Sequence, residues 1–100
     1  DYYGQAMTNN ADAYVVQYSG FTQQQALDDF LLAYRELNYQ AYQRLLNKKE
    51  MLVLTSLSFK SAQVATNYLN SLPESIKASG AFIKSLSAIN TEINAFESSQ

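Results

Sequence analysis

Asp29 and Glu36 stand seven residues apart, and two carboxylates on one face can act as acid and base on a glycosidic bond. On a helix that spacing separates them by about 10 Å along the axis, too long for a retaining pair and marginal for an inverting one. Both also fall on the most polar strip of their segment, so a solvated face is the simpler reading. The chain has no His and no Cys, which closes the usual zinc sites and the His-based nucleophilic triads. Glu-x-x-His pairs, the ligands of di-metal helical bundles, are absent for the same reason. Gly4, Gly20 and Gly80 are isolated and form no phosphate-cradling loop. Tyrosines could stack on bases, but Lys48 and Lys49 are the only adjacent basic pair, Glu50 follows them, and the net charge is −2. Nucleic acid is therefore not an expected partner. No catalytic residue, metal ligand or cofactor is expected, and the chain reads as non-enzymatic.

One hundred residues suit a single domain spanning 1–100, and an apolar fraction of 47% is ordinary for a globular protein. The charged fraction is 16%, below the usual ~25%, with Ser, Thr, Asn and Gln filling the difference. No apolar run approaches the ~18 residues of a membrane span. The sequence starts at Asp1 rather than Met, as a processed or trimmed chain would. Low charge with many Tyr, Asn and Gln leans towards an extracellular or cell-surface protein.

Few glycines and one proline suggest helices joined by short connections. The expected fold is all-α: a small up-and-down bundle of about four helices, roughly 10–19, 23–47, 50–71 and 72–97. Thr8, Asn9 or Asn10 would cap the first helix, Gly20 would stop it, and Ala11, Tyr14, Val15 and Tyr18 would share a face. Thr22 and Gln25 have capping-box spacing, Phe21 and Ala26 that of a hydrophobic staple. In "EMLVLTSLSF", Val53, Thr55, Leu57 and Phe59 alternate as a strand would, but a longer window restores a helical apolar half from Met51 to Leu72. Ser71 and Glu74 repeat the capping spacing around Pro73.

Within 23–47 the expected core face is Leu27, Phe30, Leu31, Tyr34, Leu37, Ala41 and Leu45. A second stripe, Leu32, Tyr39, Tyr42 and Leu46, widens the apolar arc beyond what one surface helix buries. Leu52 and Phe59 project from the polar back of the next helix. These six residues are the candidate partner- or ligand-binding positions. Phe82, Leu86, Ile89, Ile93 and Phe96 form a seam resembling a coiled coil. It lacks charged pairs at its flanks and fails at Ser79, so it reads as the edge of the chain's own core.

Two functions fit this reading. The first is a structural or interaction module that associates with itself or with a protein partner. The alternative is a carrier of a small hydrophobic ligand such as a lipid, held between helices.

Overall fold

The computed structural model describes residues 13–99, and its chain alternates strand and helix. The order is β1 (Tyr14–Phe21), α1 (Gln24–Ala33), β2 (Gln40–Leu46), β3 (Lys49–Thr55), α2 (Ala62–Ser71), α3 (Glu74–Ala78), β4 (Phe82–Ser85) and α4 (Leu86–Ser98). The strands form one antiparallel sheet in the order β2-β3-β1-β4. β1 and β2 flank β3, so α1 crosses over between them, the split β-α-β pattern. The expected all-α bundle is thereby overturned: this is an α+β protein built on a four-stranded sheet. The expected helix 10–19 is β1 where it is described, and 23–47 divides into α1, a turn at 34–36 and β2. Likewise 50–71 divides into β3 and α2, and 72–97 into α3, β4 and α4.

The physical reason lies in burial on both faces. Val16, Tyr18, Leu27, Ala41, Leu54, Ala65, Leu72 and Ile76 form a core between the sheet and α1, α2 and α3. On the opposite face Val15, Tyr42 and Val53 pack under Leu86, Ile89 and Ile93 of α4. A strand covered on both sides is apolar at successive positions and loses the period of two that marks a half-exposed strand. Tyr14, Val15 and Tyr18, read as one helical face, are thus divided: Val15 faces α4, whereas Tyr14 and Tyr18 face the other helices.

Local devices complete the frame. A bulge between Gln17 and Ser19 shifts the register of β1 on β3 and turns Phe21 towards the helices, where its ring meets Phe30 edge-on. Asn47 and Lys48 join Leu46 to Lys49 with φ of 52° and 68°, the left-handed pair of a two-residue hairpin turn. Lys48 therefore lies in the hairpin turn and Lys49 opens β3. The caps also move: α1 starts after Gln23 with no side-chain cap, and α3 after Pro73, so neither expected capping box forms. Ser61 and Ser85, which cap α2 and α4, accept from the backbone N–H of Val64 and Ala88. The proposed caps Thr8, Asn9 and Asn10 lie outside the described residues.

Candidate functional site

A surface groove of about 540 Å³ opens where α1 ends and α2 meets α3. Leu32, Leu37, Leu72 and Pro73 give it apolar walls, Tyr34 and Tyr68 add aromatic rings, and Arg35, Glu36 and Ser71 add polar groups. The turn at 34–36 positions one side. The Tyr34 N–H donates to the Phe30 carbonyl at 3.0 Å, and its ring sits 4.8 Å from Phe30. The Tyr34 hydroxyl meets Ser75 Oγ at 2.6 Å, tying the turn to α3. Tyr68, half-buried on the lining, meets the buried Tyr18. Tyr18 donates to the Asn38 carbonyl at 2.9 Å, so in the 2.5 Å contact with Tyr68 the Tyr68 hydroxyl is the donor. Burial raises the pKa of Tyr18 well above the ordinary tyrosine range.

A second polar cluster lies between the sheet and α4. Glu92 of α4 accepts from the Tyr42 hydroxyl at 2.5 Å, and its other oxygen meets Lys84 Nζ at 2.5 Å and Arg44 Nη1 at 3.1 Å. Lys84 also donates to Tyr42 at 3.1 Å and Gln17 at 3.2 Å. Burial, followed by the bond to Glu92 and its charge, raises the pKa of Tyr42, against a smaller lowering by Arg44. One carboxylate of α4 thus gathers three donors from two strands, Tyr42 and Arg44 of β2 and Lys84 of β4. Both cations are paired with Glu92, through Arg44 Nη1 and Lys84 Nζ, while Arg44 Nε is buried without a partner among the described residues. The cluster anchors α4 to the sheet.

The six candidate residues separate. Leu32, 61% exposed, stands on the groove. Tyr39 and Leu46, 39% and 43% exposed, lie at opposite ends of β2. Tyr42 is fully buried under α4, so it presents no surface to a partner. Leu52 and Phe59 are half-buried against the core on the face covered by α1, α2 and α3, and Phe59 bridges to Tyr14 through its backbone. Asp29 and Glu36 do not form a pair: Asp29 accepts from Gln25 on α1, and Glu36 lies beyond the helix on the groove. The sequence reading missed Tyr68, Leu72 and Pro73 as groove residues, and Lys84, Arg44 and Glu92 as a cluster. No local signal marks either set, because the groove joins residues 32–37 to 68–73 and the cluster joins Arg44 to Lys84 and Glu92.

Among the described residues no group of three or more acidic, His or Cys side chains could hold a metal ion. None of their helices is long and apolar enough to cross a membrane. No protein-family model and no curated protein sequence matches the chain.

Proposed function

We propose that this chain is a non-enzymatic interaction module that docks a protein partner in the groove beside Leu32. The supporting observation is Leu32 itself: a large aliphatic side chain, 61% exposed, on the wall of an apolar and aromatic recess. Tyr and Arg, both present on the lining, are groups that concentrate binding energy at protein interfaces. An extracellular or cell-surface location accords with the low charged fraction and the abundance of Tyr, Asn and Gln. Carriage of a lipid has less support, since side chains fill both faces of the sheet and the groove is open with polar groups on its lining.

The test compares wild type with Leu32→Asp. Affinity capture with wild type recovers a partner that binds at least tenfold more weakly to the variant, while circular dichroism shows the same fold. Light scattering separates a foreign partner from a second copy. A strictly monomeric chain whose captures are identical for wild type and variant would refute the reading.

A further inference from the structure

The chain has two arginines, and they differ in a way that bears on what the groove accepts. Arg44 is committed to Glu92. Arg35 has no carboxylate within ion-pair distance among the described residues, and neither has Glu36 a cation. Both are exposed and both line the groove, next to each other in the turn that follows α1. Elsewhere the exposed Glu74 is paired with Lys77 at 2.7 Å. The last carbonyls of α1 end at the same place, and no basic residue occupies that last turn. A helix C-terminus carries partial negative charge and favours a cation. The groove thus offers an apolar recess, one guanidinium without a counter-charge, and one carboxylate reinforced by a helix end.

From this we infer the chemistry of the occupant: a short segment of a protein partner with a bulky apolar anchor, an acidic side chain for Arg35 and a basic one for Glu36. The inference rests on the groove being an interaction site and adds which segments it selects. Leu32, Leu37, Leu72 and Pro73 take the anchor. Arg35 supplies a planar donor fork suited to a carboxylate. Glu36 with the α1 terminus supplies the opposite pole. Exposed charges of this kind contribute modestly to affinity but discriminate between partners, because a like charge placed opposite is penalised. A purely apolar segment would fill the recess and leave both charges uncompensated.

Random heptapeptides displayed on phage, selected on the immobilised full chain and counter-selected on Leu32→Asp, test this directly. The expected pool shares a Leu, Ile, Phe or Met anchor flanked by Asp or Glu on one side and Lys or Arg on the other. Measured by fluorescence polarisation, the best synthetic peptide should lose about three- to tenfold in affinity to Arg35→Ala and to Glu36→Ala. Replacing its acid by Ala should weaken binding to wild type and leave binding to Arg35→Ala unchanged. Selected peptides with an anchor and no charge preference, or with affinities indifferent to both substitutions, would overturn the dipolar occupant while leaving the groove as a site. A pool that Leu32→Asp retains equally well, or no enriched pool at all, would overturn the groove reading itself.

Discussion

Glu92 shows how much a single residue can decide here. Its side chain is 17% exposed, and those of Lys84 and Arg44 are 10% and 25% exposed. Removing the carboxylate charge leaves two cations facing each other under α4, and breaking a buried pair of this kind costs about 3–5 kcal/mol. Glu92→Gln should therefore lower the unfolding free energy by about 3 kcal/mol in a urea titration. The tyrosines give a pH dependence whose sign is fixed by burial. Tyr18 and Tyr42 hold their protons above the ordinary tyrosine range in the folded chain, whereas in the unfolded chain they ionise near pH ~10. Below that pH their contribution is fully present. As pH rises above about 10, only the unfolded chain releases these protons easily, so stability falls. Thermal melts from pH 8 to 11.5 should show a declining Tm beyond pH ~10, and Tyr42→Phe should flatten part of the decline. The sequence marked Tyr42 as a residue in an unexpected place. It sits in the core because its hydroxyl has Glu92 and Lys84 as partners, information that no single segment contains.

At the scale of elements, the clearest test is the β2–β3 hairpin. Asn47 tolerates a positive φ, but Lys48 at 68° carries a Cβ where glycine would be unstrained. Lys48→Gly should stabilise the protein by up to about 1 kcal/mol, read as a rise in Tm. α4 is held by its cap and by four buried side chains, Leu86, Ile89, Ile93 and Phe96. Ile93→Ala should cost about 2–4 kcal/mol through lost burial and a cavity, and Ser85→Ala about 1 kcal/mol through the lost cap. The seam of α4 was legible as an intramolecular surface, since its spacing is helical and its flanks lack pairing charges. Its first residue, Phe82, belongs instead to β4 and is 45% exposed. The strands were legible only in fragments. The alternation across Val53 and Thr55 and the β-branched run at Val15 and Val16 are strand signals. In 50–71 the helical periodicity of the wider window outweighed the alternation because that window joined β3 to α2.

For the molecule as a whole, layering explains the excess apolar surface that the sequence displayed. In a bundle, the second stripe on 23–47 would require that helix to be central and packed on two sides by its neighbours. A sheet covered by α1, α2 and α3 on one face and α4 on the other needs apolar residues on both sides of its inner strands. Of the stripe only Tyr42 is core material; Leu32, Tyr39 and Leu46 stay exposed, and Leu32 is the member beside the groove. Leu32→Asp should accordingly leave stability within about 0.5 kcal/mol of wild type, measured by denaturant unfolding, because no buried contact is removed. By itself the sequence determined the chemical repertoire: no thiol, no imidazole, no phosphate loop, low charge, and enough apolar residues for a packed core. It also determined that the Leu86–Phe96 stretch is an amphipathic helix, because spacing along one segment is a local property. Tertiary structure decided between strand and helix in β1, β2 and β3, since burial on both faces erases the periodicity that distinguishes them. It also decided which polar residues meet. Glu92 finds Tyr42, Lys84 and Arg44 only once β2, β4 and α4 lie side by side.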